Sequence, residues 1–259
     1  MSLRGALEQL SHRFVLQRRL PSPFAAARIY ASTEGGLRYL RPRLDSVDPA
    51  LLRLVTETVG TGDVVWDVGA NVGLFSFAAA VAAGPGGRVL AIEPDAVLVT
   101  LLRRSAAANR YQAPVEVLPA AVADDCGIGR FHIARRNRST SHLDGFGSSE
   151  AGGIRATELV PTVSLDWLAL RFPTPDVIKI DVEGAELKVL AGGPQVLRAC
   201  PRIICEVQGE NAAAVAALLV AHGYTLHDGE QPAAQRICLD AAPFNTLAIH
   251  EAASDIAAS

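Results

Sequence analysis

The stretch VVWDVGANVG, residues 64–73, decides the reading of this chain. Val64, Val65 and Trp66 read as a short buried strand, and Asp67 stands at its C-terminal end. A glycine-bearing turn follows and opens an apolar helix over residues 74–83. In open α/β sheets, ligands bind in the crevice beyond the carboxyl ends of the strands. Glycine in such a turn lets the backbone approach a ligand closely, because it has no Cβ and tolerates positive φ. The spacing is not the GxGxxG of a dinucleotide site, in which three glycines serve a pyrophosphate. Here an acid precedes Gly69 by two residues, and Gly73 follows it by four. A carboxylate beside free main-chain groups suits a ligand carrying an ammonium and a carboxylate better than a diphosphate. An amino-acid-bearing nucleoside such as S-adenosylmethionine meets that description.

Outward from this motif, strand and helix patterns alternate. Upstream, residues 3–20 carry apolar positions at helical spacing (Leu3, Leu7, Leu10, Phe14) and end at Pro21 and Pro23. A helix over residues 49–59 has Asp48 as its cap and Pro49 at its first position. Downstream, strands are expected at 88–93, 115–122, 176–182, 202–207, 224–227 and 246–250, with helices at 95–109, 163–170, 184–190 and 210–222. A polar stretch over residues 124–158 interrupts the pattern, with a short strand at 131–133. Strands separated by helices of this length imply parallel βαβ units in one sheet.

The chain has 259 residues, enough for one large α/β domain with a modest extension. Hydrophobic residues make up 49%, and mean hydropathy is +0.23, so a substantial core is expected. The formal charge is −3 and the arginine clusters are small, which argues against a nucleic-acid partner. Cys126, Cys200, Cys205 and Cys238 lack C-x-x-C spacing, so neither a zinc site nor a disulfide framework is expected. The longest uncharged apolar run, residues 212–221, is half the length of a membrane span. A soluble cytoplasmic protein with no membrane partner is the expectation.

Four further acids invite a function. Glu93, in VLAIEP, ends the strand after the glycine turn, where an acidic residue meets ribose hydroxyls in nucleoside-binding folds. In PDVIKIDVEGAE, residues 175–186, Asp181 ends a buried strand and Glu183 begins the loop beyond it. Both carboxylates then sit on the same sheet edge as the first motif, although Glu183 could equally cap the next helix. Glu206, in ICEVQ, is costly to bury without a partner. It either lines the substrate pocket or pairs with an arginine of the N-terminal region.

With DVGANVG, IEPD, STSHL, VSLDWL, KIDVEGAE with LAGG, and FNTLAI in this order, the chain resembles the FkbM family of S-adenosylmethionine-dependent methyltransferases. The resemblance runs over residues 46–250 and implies a Rossmann-like class I methyltransferase domain at 46–259. Its sheet would have seven mostly parallel strands with the last one antiparallel. Residues 1–45 fall outside it and are read as a helical extension, a lid or a dimerisation arm that would make a homodimer. By position, Asp67, Gly69 and Gly73 would face the methionine moiety, with Asn71 and Phe75 nearby. Glu93 would hold the ribose, Pro94 and Asp95 would border the adenine, and Ala121 and Val122 would pack against its ring. Asp124 is a candidate polar partner for that ring. Asp181 and Glu183 would meet the transferred methyl group and its acceptor.

An alcohol acceptor must lose a proton, which calls for a base or a metal. His142, in RNRSTSHLDG, is the first candidate base, because the insert should cover the pocket. His132 is the weaker one. Asp181 and Glu183 could instead hold a divalent cation through their carboxylate oxygens. The resemblance points to a hydroxyl of a sugar or small natural product as acceptor, and Arg135, Arg136 and Arg138 could meet an acidic group on it. Two other classes stay open, an inactive nucleoside-binding module and an NAD-dependent oxidoreductase; the latter should carry GxGxxG, which is absent after this strand.

Overall fold

The computed structural model describes residues 15–41, 43–110, 112–135, 138–145 and 153–250. The motif strand, β3 (Val64–Val68), lies inside a sheet of seven strands. The strands on one side are β4 (Arg88–Ile92) and β5 (Val115–Leu118). On the other are β10 (Val177–Ile180), β11 (Arg202–Glu206), β13 (Asn245–His250) and finally β12 (Tyr224–Asp228). All pairings are parallel except those of β13, which is antiparallel to both of its neighbours. The last strand is therefore the antiparallel one, as expected.

Alternation along the strands builds two cores. Val65, Val89, Ala91, Val177, Ile204 and Leu247 face one side. There they meet α1 (Pro49–Thr58), α2 (Leu74–Ala83) and α3 (Ala96–Ala108). Trp66, Leu90, Ile92, Ile178, Ile180 and Ile203 face the other side. That face is covered by α4 (Leu165–Ala169), α5 (Glu186–Ala191), α6 (Pro194–Arg198) and α7 (Ala212–Ala221). Helix starts follow local chemistry. Asp48 accepts from the Leu51 amide with Pro49 at the first turn, and Ser164 accepts from the Trp167 amide.

Register then fixes the functional edge. Val68 stands level with Ile92 and Ile180, Ile92 with Leu118, and Ile180 with Cys205. The next residues along these strands, Gly69, Glu93, Asp181 and Glu206, therefore emerge together at the carboxyl end of the sheet.

Three expectations change. Residues 16–20 were expected to be helical, yet Leu16–Arg19 is a strand, β1, paired antiparallel with β2 (Arg28–Ala31). The hairpin docks on α3 through side chains that take its backbone donors, with the Arg28 amide on Asn109 Oδ1 and the Tyr30 amide on Ser105 Oγ, both at 2.8 Å. Short 3-10 helices at Thr33–Gly35 and Leu37–Leu40 follow, so the described part of the extension is a strand hairpin and two short 3-10 helices rather than an α-helix. The helical spacing from Leu3 to Phe14 lies outside the described residues.

The second change is at 115–122, which splits into β5 and a two-residue strand β6 (Ala121–Val122) in another sheet. Pro119 stands between them, and its missing N–H ends the first ladder. The third is the insert, whose described residues are built on strands rather than loop. β7 (Gly127–Ala134) pairs with β9 (Ile154–Val163) along its length, and β6 and β8 (His142–Leu143) complete a four-stranded sheet. Phe131, Ile133 and Val160 form the small core beneath it.

Candidate functional site

A cleft of about 600 Å³ opens at the edge where these strands end. Gly69, Asn71, Glu93, Pro94, Ala121, Val122, His142, Asp181 and Glu183 all line it, so nine residues singled out from the sequence converge on one place. At Gly69, φ is +79°, and an added Cβ would lie 1.9 Å from the Asp181 carbonyl oxygen. The motif turn thus rests directly on the end of β10, which only glycine permits. Asn71 also has a positive φ, 53°, and its side-chain oxygen is buried without a hydrogen-bond partner. That orphaned acceptor in the cleft wall suits a donor such as an ammonium.

Glu93 holds its turn together while facing the cleft. Its Oε2 accepts from the Asn71 amide and its Oε1 from the Asp95 amide, both at 2.9 Å. Each oxygen keeps a second lone pair for a vicinal diol. Burial pushes the carboxyl up to about 7, against the pull of those two amides. Glu183 takes a left-handed conformation, φ 50°, and burial together with Asp181 and Glu186 pushes it up to about 7 as well.

His142, contributed by the insert, is buried in the cleft wall, with 8% of its surface exposed. Its Nδ1 lies 3.2 Å from the Thr140 carbonyl, which can only accept, so Nδ1 carries the hydrogen. In that tautomer Nε2 keeps its lone pair. His132, the weaker candidate, is engaged by Thr157 and Asp144, each at 2.9 Å. Its ring centroid lies 5.6 Å from that of His142.

Four expected residues stand behind the cleft wall. Asp67 is wholly buried, accepting from Ser76 Oγ, with its other oxygen 3.5 Å from Lys179 Nζ. Parallel pairing sets Lys179 beside Asp67 on one face of the sheet, which is why this carboxylate points at an ammonium of the protein. Gly73 caps α2, and an added Cβ there would press on Phe77 and Leu102. Phe75 packs in the core of that face. Asp95 caps α3, accepting from the Val97 and Leu98 amides, and pairs with Arg138 at 2.6 Å. Asp124 points away, 3.6 Å from Lys188.

Other residues at or behind the wall had no role assigned from the sequence, or one left open. Lys179, buried within β10, donates to the Gly69 carbonyl at 3.2 Å and to Asp181 Oδ2 at 3.1 Å. Burial lowers its affinity for a proton, but Asp181, Asp67 and Glu206 outweigh that and hold it above the usual lysine range. A lysine in a strand of alternating apolar residues was the available sign. A second recess adjoins the cleft through Asn71 and Asp181, and Arg38, Tyr39, Asp48, Lys179 and Glu206 line it. Glu206 lines this recess rather than the cleft itself, and the charge of Arg38 acts on its carboxylate there. Burial, with Asp181 adding, pushes its carboxyl up to about 8. Arg138, Ser141, Phe131 and Leu143 join the wall from the insert. Arg136 lies outside the described residues.

Among the described residues, no group of three His, Cys, Asp or Glu side chains is set to hold a metal ion. No helix among them is long and apolar enough to cross a membrane.

The methyltransferase FkbM domain family matches residues 67–226. The hexuronic acid methyltransferase AglP of Haloferax volcanii is 30% identical over 162 residues, covering 61% of each chain. The 31-O-demethyl-FK506 methyltransferase FkbM of Streptomyces tacrolimicus is 32% identical over 202 residues, covering 66% of this chain and 76% of that one. Among solved structures, the Pyrococcus abyssi tRNA (uracil-54, C5)-methyltransferase with S-adenosyl-L-homocysteine superposes with a TM-score of 0.46 at 13% identity, covering 91% of this chain and 44% of that one.

Proposed function

The chain belongs to the methyltransferase FkbM domain family, and from that premise we propose that it methylates a hydroxyl of a sugar or small natural product with S-adenosylmethionine as donor. The observation that carries this reading is the convergence on one cleft of Gly69, Asn71, Glu93 and Asp181 from the sheet edge, with His142 from the insert. The residues fit the cofactor: an orphaned buried acceptor at Asn71, a carboxylate at Glu93 with lone pairs to spare, and an apolar wall at Ala121 and Val122.

When bound, the cofactor supplies an electrophilic methyl group on a sulfonium. Asn71 and the Gly69 turn hold its amino-acid end, Glu93 takes the ribose diol, and Ala121 and Val122 take the base. His142 Nε2 accepts the proton of the acceptor hydroxyl as its oxygen becomes nucleophilic. Asp181, fixed by Lys179, and Glu183 orient the hydroxyl toward the methyl group, and that alignment supplies much of the rate. Asp67 and Asp95 act behind the wall, the first by holding Lys179 and the second by holding Arg138.

The test is calorimetric titration with S-adenosylmethionine, with NAD as control, followed by turnover on a panel of hydroxylated acceptors. Binding of S-adenosylmethionine alone is expected. His142→Ala should lower kcat by roughly 10²–10⁴-fold with unchanged cofactor affinity. Turnover should survive EDTA and dialysis; its loss would move the deprotonation from His142 to a cation at Asp181 and Glu183. A chain that binds the cofactor and methylates nothing on the panel would favour the inactive binding module.

A further inference from the structure

Four charged side chains from four stretches of sequence meet at one wall of the cleft. Arg138, with 8% of its side chain exposed, donates through Nε to Glu34 and through Nη1 to Asp95 at 2.6 Å. The two carboxylates are 6% and 0% exposed, and Arg155 from β9 approaches the same Glu34 oxygen at 3.5 Å. Arg138 itself lines the cleft. The N-terminal segment, the cap of α3 and the insert are thereby joined at one guanidinium.

Both partners of Arg138 are tied to the cofactor wall. The Asp95 amide donates to Glu93, and its carboxylate caps α3. Gly35, beside Glu34, lies on the motif turn with no room to spare. An added Cβ there would fall 2.2 Å from Val72 Cγ1 and 3.1 Å from Asn71 Oδ1. A buried ion pair gains little net stability, because its Coulomb attraction is offset by lost hydration. Such a contact can therefore release without a large free-energy change, whereas deleting one partner strands the others without compensation.

Resting on the cofactor reading above, we propose that Arg138 is a positioning residue. It pins the β7 and β8 part of the insert, braced against α3 and the N-terminal segment, as a cover over the nucleoside half of the cleft, and the cofactor leaves only when its ion pairs to Glu34 and Asp95 open. Glu34 does not line the cleft, so an effect of its substitution on cofactor release would act through the cover.

Dissociation of S-adenosyl-L-homocysteine from the full chain, followed by surface plasmon resonance, tests this. Glu34→Gln, which preserves shape, and Arg138→Met should each speed dissociation about tenfold, a change worth about 1.4 kcal/mol. The double variant should be no faster than the singles, because both remove one shared contact. Arg138→Lys should recover part of the loss. If Glu34→Gln leaves the rate unchanged, the cover does not control release and the inference fails. A wild-type chain that binds neither S-adenosyl-L-homocysteine nor S-adenosylmethionine overturns the cofactor reading, and this inference with it.

Discussion

The glycine turn at residues 69–73 and the Arg138 cluster wall the same cleft, but they are built by opposite means. The turn is made from neighbours in sequence: a buried strand, an acid, glycines with positive φ and an apolar helix. The cluster is made from residues 34, 95, 138 and 155, which local pattern does not connect. The first depends on shape and backbone conformation, the second on charges that only the tertiary fold brings together. A substitution in the turn should therefore act on folding, and one in the cluster on the rate of exchange.

The sharpest way to break this contrast is Gly69→Ala. A Cβ at φ +79°, 1.9 Å from a backbone oxygen, can be relieved only by moving β10 or the turn. The loss should exceed about 4 kcal/mol, which for a chain of this size lowers Tm by roughly 10 °C or more. Thermal melting of the purified variant decides it. A soluble Gly69→Ala protein that melts like wild type and binds S-adenosylmethionine would mean that the turn is not the rigid half of the site.

Lys179→Met tests the ground between the two regions, since Lys179 is a charge device buried in the legible sheet. Its removal leaves Asp67 and Asp181 without their cation, and losing one partner of a buried pair costs about 3–5 kcal/mol. The deficit should shrink as pH falls, because burial already holds the Asp67 carboxyl above its usual range and protonation removes the stranded charge. Adding Asp67→Asn should restore part of the stability, and denaturant unfolding at pH 5.5 and 8 measures both effects. A deficit that does not change with pH would show that lost packing, rather than stranded charge, is the cause.

How much was legible follows the same division. The alternation of strands and helices and the cleft residues Gly69, Glu93 and Asp181 could be read from period, glycine placement or position at a strand end, while the antiparallel last strand and Asn71 followed only from the family resemblance. The N-terminal hairpin could not, because its strand is set by pairing of Leu16 with Ala31 and by donors handed to Ser105 and Asn109 far along the chain. Asp67 was read as facing the ligand because its position favours that. Parallel register with Lys179, invisible in a one-dimensional pattern, turns it inward. The insert read as loop because the burial contrast that marks a strand is weak in β9, where six of its first seven residues are exposed.

The smallest expected effect concerns Glu206, and it asks whether the recess beside the cleft also stores unfavourable charge. Burial and Asp181 raise this carboxyl from the ordinary glutamate value of 4.5 to about 8. Between those two pH values the unfolded chain has released the proton while the folded chain still binds it. Stability therefore falls as pH rises through that window, the reverse of a salt-bridged carboxylate. Glu206→Gln removes the titration, so the melting temperature of the variant should fall less between pH 5 and pH 8 and should exceed that of wild type at the upper end. Because Arg38 and Lys179 both face Glu206, part of the gain is offset by the attraction they lose, and the net difference should be a few degrees. A variant less stable than wild type at pH 8 would mean that Glu206 is ionised and paired with Arg38, and the recess would then belong with the ion-pair cluster, held by charges that satisfy one another.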